Sequence, residues 1–150
     1  MLATLSGEPT DRMPWAPRLD LWYNAHKRAG TLPARYKDFS LQGITDDLDF
    51  GSHAIIPHFK DLRDPLDEVH RALGIYNLWT MPYTTRLESI GVEVTTEGDE
   101  THVEYRTPVG TITTTVLYDE NMKRAGVSIT HISEYAIKDR KDYAAVGYIF

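Results

Sequence analysis

The sequence contains no cysteine. Disulfides, thiol nucleophiles and cysteine-ligated zinc or iron–sulfur sites are thereby excluded, and a reducing compartment is weakly favoured. Long apolar runs are also missing, since none approaches the roughly 20 residues of a membrane-spanning helix. Residues 1–5 lack the basic and apolar regions of a secretory leader, so a cytoplasmic protein without a membrane partner is expected. Basic excess is absent as well. Lys+Arg number 16 against 22 Asp+Glu, a net charge of −6, and neither half carries a basic arm or an acidic tail. A nucleic-acid partner is therefore not expected. There is no GxGxxG, GxxxxGK[ST], HExxH or GxSxG motif, and no internal repeat or low-complexity tract. The 150 residues also fall short of the roughly 200–250 that a closed (β/α)₈ barrel needs.

What is present is ordinary for a globular domain, 41% hydrophobic and 25% charged. A chain of this size buries roughly two thirds of its unfolded surface, enough for a core without metal or disulfide staples. A single α+β domain over residues 1–150 is expected.

The first half predicts short mixed segments. Met13 to Arg18 contains two prolines and reads as extended. Leu19 to Ala29 has helical spacing, with Leu19, Trp22, Tyr23 and His26 near one face and Gly30 as terminator. Ser40 is an N-cap for a short helix carrying Leu41, Ile44 and Leu48, ended by Gly51. His53 to Ile56 reads as a buried strand closed by Pro57. Pro65 then opens a helix with Leu66, Val69 and Leu73, stopped by Gly74.

The second half changes period. Ile90, Val92 and Val94 alternate with Gly91, Glu93 and Thr95, the pattern of a half-buried strand. Turns at Glu97-Gly98-Asp99 and Pro108-Val109-Gly110 separate it from strands over His102 to Thr107 and Thr111 to Tyr118. Val127 to Ile132 adds another. Consecutive strands joined by tight turns predict an antiparallel β-meander. Asp139 and Asp142 have capping-box spacing before a final helix with Tyr143, Val146, Gly147 and Phe150 along it.

Candidate chemistry is sparse. His53 and His58 straddle Pro57 at a spacing that suits no standard metal loop, and lone histidines more often make ordinary hydrogen bonds. Asp46, Asp47 and Asp49 lack the alternating oxygen spacing of a calcium loop, and read as a solvated acidic face. Lys27 and Arg28 suit the negative end of a helix dipole. No metal-ligating residue is assigned. Arg18 and Asp20, where an extended segment meets a helix, point further. Charged groups at such a junction face the ligand crevice in α/β folds. An Arg there suits a carboxylate or phosphate, and an Asp can orient it or move a proton. The plainer alternative is a surface ion pair beside aromatic core.

Taken together, several segments resemble the amino-terminal region of the uroporphyrinogen decarboxylase superfamily, in the branch of decarboxylase-like proteins and corrinoid-dependent methyltransferases. Gly7-Glu8-Pro9-Thr10-Asp11-Arg12-Met13-Pro14 is similar to the lead-in to that family's first barrel strand. Arg28-Ala29-Gly30-Thr31-Leu32-Pro33-Ala34-Arg35-Tyr36 resembles the decarboxylases' arginine-rich signature. Tyr105-Arg106-Thr107-Pro108-Val109-Gly110-Thr111 resembles a hairpin of the methyltransferase-like branch, and His131 to Ile149 the segment before the next barrel helix. Leu2 to Ser6 is similar to the last turn of the leading helix.

The resemblance implies an antiparallel β-meander plus short helices, equivalent to the amino-terminal part of a TIM-barrel protein and not a complete barrel. It implies methyl transfer from a small methylated substrate to a corrinoid protein as partner, with zinc and the corrinoid supplied outside this chain. Asp20 is the candidate catalytic residue. Arg18, Trp22, Arg28 and His53 are the candidate substrate-binding residues. The departures matter: Thr31 stands where the decarboxylases carry a second arginine, and Thr45-Asp46-Asp47-Leu48 comes too soon to match their catalytic aspartate. Uroporphyrinogen decarboxylation is thus the third reading. A non-catalytic binding or assembly module is the second. Apolar faces left uncovered by missing strands predict a homo-oligomer or a complementing chain.

Overall fold

The β-branched alternation of the second half folds into a four-stranded open antiparallel sheet in the order β1-β2-β3-β4. The computed structural model describes residues 5–11, 13, 15–52 and 61–150. Its elements are α1 (Asp20–Ala29), α2 (Leu41–Asp47), α3 (Asp67–His70), β1 (Gly91–Glu97), β2 (Glu100–Thr107), β3 (Gly110–Leu117), α4 (Glu120–Arg124), β4 (His131–Glu134) and α5 (Asp142–Ile149), with 3₁₀ turns at Ala34–Tyr36 and Arg71–Leu73. The fold is α+β, an open sheet with short helices. The chain divides into two compact units, one of Met1–Ile55 with Asn121–Val127 and the other of Ile56–Glu120 with Ser128–Phe150.

In the sheet unit, the two hairpin turns are built differently. Gly98 has φ 60° at the first central position between the paired Glu97 and Glu100, a left-handed backbone that glycine adopts without a Cβ penalty. The second turn has Pro108 and Val109 between the paired Thr107 and Gly110, and proline's fixed negative φ rules out a mirror-image turn. The Thr107 hydroxyl instead ties it, accepting from Val109 N at 3.2 Å and donating to Gly110 O at 2.7 Å.

Register places Val92, Val94, Val103, Tyr105, Ile112, Thr114 and Val116 on one face. That face carries the core: Val103, Tyr105, Ile112 and Val116 are almost wholly buried, together with Val69, Leu73 and Ala145. On the other face Glu93 and Glu104 stand directly opposite each other, a like-charge pair that is unfavourable alone. Arg106 bridges both carboxylates. β4 begins at His131 rather than Val127, and a bulge lies between Thr115 and Val116 where it joins β3.

The capping-box reading of Asp139 and Asp142 holds in part: α5 begins at Asp142 with Lys141 at its N-cap, and the two aspartates tie the turn before it. Asp142 Oδ2 accepts from Lys138 N at 2.8 Å and Asp139 N at 3.0 Å, while Asp139 Oδ1 accepts from Lys141 N at 2.7 Å. The face of α5 is rotated from the expected one: Ala145 is buried and Val146 packs on the core, whereas Tyr143 and Phe150 are 62% and 74% exposed. Hydrophobicity all round this helix hid the choice, because no single stripe stands out.

In the other unit, α1 ends as predicted at Gly30, φ 68°, and Ser40 caps α2 by accepting from Gly43 N at 3.0 Å. Gly51 does not end α2. The helix stops at Asp47, and Asp49 takes the left-handed turn with φ 54°, a conformation aspartate tolerates better than most residues. Among the described residues Trp15 to Arg18 joins no strand ladder. Gly51 N donates to Trp15 O at 2.8 Å, and the Trp15 and Phe50 rings lie 4.8 Å apart. The predicted strand over residues 53–56 lies outside the described residues.

Candidate functional site

Helix α1 presents three different faces. Tyr23, its one buried residue, donates from its hydroxyl to Phe39 O at 2.9 Å and accepts from Lys27 Nζ at 2.9 Å. Leu21, Asn24 and Ala25 meet the segment at Gly126, with Asn24 Nδ2 donating to Gly126 O at 3.2 Å. Trp22 and His26, four residues apart, share the remaining face with ring centroids 5.2 Å apart. The sequence pattern placed Tyr23 with Trp22 and His26, but only Tyr23 is buried.

The junction residues lie at the start of this helix. Arg18 Nε donates to Asp20 Oδ1 at 3.2 Å, with the arginine side chain 60% exposed. Asp20 sits in the first turn, where the helix dipole favours a carboxylate. Asp20 engages Nε and not the two Nη groups. Neither has a partner among the described residues. Two parallel N–H donors match the oxygens of a carboxylate or phosphate. Trp22 adds an exposed aromatic surface two residues beyond Asp20.

Arg28 is not part of this group. It lies in the last turn of α1, eight residues and about 12 Å along the axis from Asp20. His53 lies outside the described residues, as does His58. The Thr31 hydroxyl, at the place of the decarboxylases' second arginine, is bonded to His26 Nδ1 at 2.8 Å. The acidic run has structural partners: Asp47 accepts from Tyr36 Oη at 2.8 Å and Arg35 Nη2 at 2.5 Å. The Tyr36 hydrogen bond, then Arg35, holds the Asp47 carboxyl below its usual range. Among the described residues no three His, Asp or Glu side chains lie together as a metal site. No helix there is long and apolar enough to cross a membrane.

Two groupings in the sheet unit were not visible in the sequence. On the open face, Thr115 Oγ1 lies 2.6 Å from His102 Nδ1 and 2.6 Å from Glu134 Oε2, and Lys138 Nζ pairs with Glu134 Oε1 at 2.8 Å. This is no nucleophilic triad. The hydroxyl stands between histidine and carboxylate and donates to the carboxylate, whereas catalysis needs the histidine in the middle. Hydrogen bonds from Lys138 and then Thr115 hold Glu134 below its ordinary range.

The second grouping is beneath the sheet. His70 Nδ1 lies 3.0 Å from Tyr105 Oη, and burial raises the tyrosine to about 12. Burial also lowers His70 below the ordinary histidine range, partly offset by Asp67 and Asp64. Near neutral pH the folded state thus holds His70 uncharged. The unfolded chain takes up a proton near pH 6.5 and the folded chain only at lower pH, so the contribution is full above that value. It falls as pH drops from about 6.5 through the folded-state value. His70→Gln removes this slope, which is checked by urea midpoints between pH 7 and pH 5. An unchanged slope would assign the acid sensitivity to other groups.

No protein-family model matches the chain, and no curated protein or solved structure matches it.

Proposed function

We propose that the chain is a uroporphyrinogen-decarboxylase-like protein related to corrinoid-dependent methyltransferases, corresponding to their amino-terminal portion and catalytically incomplete alone. The observation that carries this reading is the Arg18–Asp20 pair, whose guanidinium is held through Nε and open through both Nη groups. In this role Arg18 grips an anionic group of the substrate or its carrier, Asp20 fixes the guanidinium, and Trp22 shields one side of the bound group. The chain has no cysteine to supply the thiolate ligands that the resemblance implies, and the described residues gather no ligand set. No step is therefore assigned to a metal on this chain.

The test follows methylcobalamin formation from cob(I)alamin and a panel of small methylated amines, thiols and ethers. The chain alone should give none, and adding the zinc-bearing barrel half of a related methyltransferase should restore it. Arg18→Met should then lower the rate about 10- to 100-fold, the loss of one or two charge-assisted hydrogen bonds. No transfer by the complemented, folded chain would overturn the proposal.

A second reading, a self-associating assembly module, is favoured by a groove of about 260 Å³ lined by Leu73, Ala136, Ile137 and Val146. Beside it Tyr135 is 64% exposed. Ile137, on the same groove, is 43% exposed. Sedimentation showing a stable dimer, with no methyl transfer on complementation, would select this reading.

A further inference from the structure

A pocket of about 230 Å³ opens between α3 and the start of β1, the liquid volume of roughly eight waters. Leu66, Ile75, Leu87 and Val92 supply its apolar lining, and Asp64, Asp67 and His70 its ionisable groups. Asn77 and Thr85 also line it, but their polar atoms are engaged. Asn77 Nδ2 donates to the Asp67 carboxylate at 3.3 Å, Asn77 Oδ1 accepts from Thr85 N at 3.1 Å, and Thr85 Oγ1 donates to Tyr76 O at 3.1 Å. Asp67 is further occupied by the backbone N–H groups of Arg63 and Asp64, at 3.0 and 2.8 Å.

Two polar groups remain open. Asp64 accepts from Leu66 N through Oδ1 at 2.8 Å, and its Oδ2 has no partner among the described residues. His70 is held through Nδ1 by Tyr105. The Tyr105 side chain is fully buried, so its hydroxyl proton needs an acceptor or costs about 1–3 kcal/mol. His70 Nδ1 stands 3.0 Å from the hydroxyl oxygen, and the Thr114 hydroxyl is a second hydrogen-bond partner. In either tautomer His70 Nε2 is left without a partner among the described residues, a donor in one and an acceptor in the other. No lysine or arginine lines the pocket.

We propose that this pocket binds a small organic ammonium ion bearing one oxygen, of the amino-alcohol class. The ammonium group sits beside Asp64 with Asp67 behind it, the hydroxyl pairs with His70 Nε2 as acceptor or donor according to the ring's tautomer, and the short hydrocarbon body lies on Leu66, Ile75, Leu87 and Val92. An anion would meet two carboxylates and no cation. A neutral alcohol would leave the Asp64 charge unpaired.

The test titrates the full chain with 2-(dimethylamino)ethanol and reads the NMR shifts of the His70 ring and the Val92 methyls. The neutral isostere 3-methyl-1-butanol and the anion 3-hydroxybutyrate serve as comparisons. Saturable shifts are expected with the amino alcohol, weaker binding of the neutral isostere and none of the anion. Asp64→Asn keeps the Oδ1 acceptor for Leu66 N and hence the local fold. It should weaken the amino alcohol about three- to fivefold, the strength of a partly exposed ion pair, without affecting the neutral isostere. Equal binding of all three probes, no saturable shift, or an unchanged amino-alcohol affinity in Asp64→Asn would each overturn the assignment. The pocket lies in the sheet unit and Arg18 in the other, so methyl-transfer assays bear on neither outcome.

Discussion

Gly126→Ala is expected to unfold the unit that carries Arg18 and Asp20, or to leave it marginal. Gly126 has φ 77°, where an L-residue costs about 1–2 kcal/mol. A Cβ there would also lie 2.2 Å from Leu21 O and 2.8 Å from Ala25 N. Those atoms are helix backbone and cannot rotate aside, so α1 must move off the Ala125–Val127 segment and surrender the Asn24 Nδ2 to Gly126 O bond. Overpacking adds roughly 1–3 kcal/mol, for a total of about 2–5 kcal/mol. Gly98→Ala is the control: its φ is 60° but nothing lies within 4 Å, so only the backbone penalty applies. Urea unfolding of both variants separates the two causes. A Gly126→Ala loss no larger than that of Gly98→Ala would mean that the helix does not press on this loop.

Gly126 also shows where sequence reading stops. Its contact spans residues 21 to 126, and nothing local distinguishes it from Gly98. Gly30, Ser40 and the Asp139–Asp142 pair were legible because each acts within about four residues, through helix caps with fixed spacing. The meander was legible for the same reason, since period-two alternation and tight turns are local signals. The α5 face was not. Deciding between Tyr143 and Ala145 as the buried residue depends on what packs against the helix, namely β3 and β2, and Ala145 is small enough to approach the hairpin closely.

The site residues divide in the same way. The Arg18–Asp20 pair was legible as two charges next to one another at a helix start, and their hydrogen bond crosses only two residues. Arg28 was named from the family resemblance, and its distance from the pair was not legible there: the full length of α1 separates it from Asp20. His70 carried no signal. Its partner Tyr105 is 35 residues away, and the tyrosine read simply as one apolar position in a strand. The same holds for Thr115, whose partners His102 and Glu134 come from two other strands.

Tyr105→Ala should have the largest effect in the sheet unit. The side chain is wholly buried at the centre of β2, paired across to Val92 and Ile112 and packed in the core cluster. Removing a buried aromatic ring costs about 3–5 kcal/mol, because the surrounding side chains collapse only partly into the cavity. That approaches the 5–15 kcal/mol total of an ordinary domain, so the variant should lose its cooperative near-ultraviolet transition or melt at much lower urea. Tyr105→Phe keeps the ring and removes the hydroxyl, leaving His70 Nδ1 without its partner at about 1–3 kcal/mol. His70→Gln and the double variant complete a cycle. Contacting polar groups couple by about 0.5–3 kcal/mol, so the double variant should cost less than the two single changes added together. Full additivity would show that the 3.0 Å contact contributes nothing, and that the ring alone is what Tyr105 gives the core.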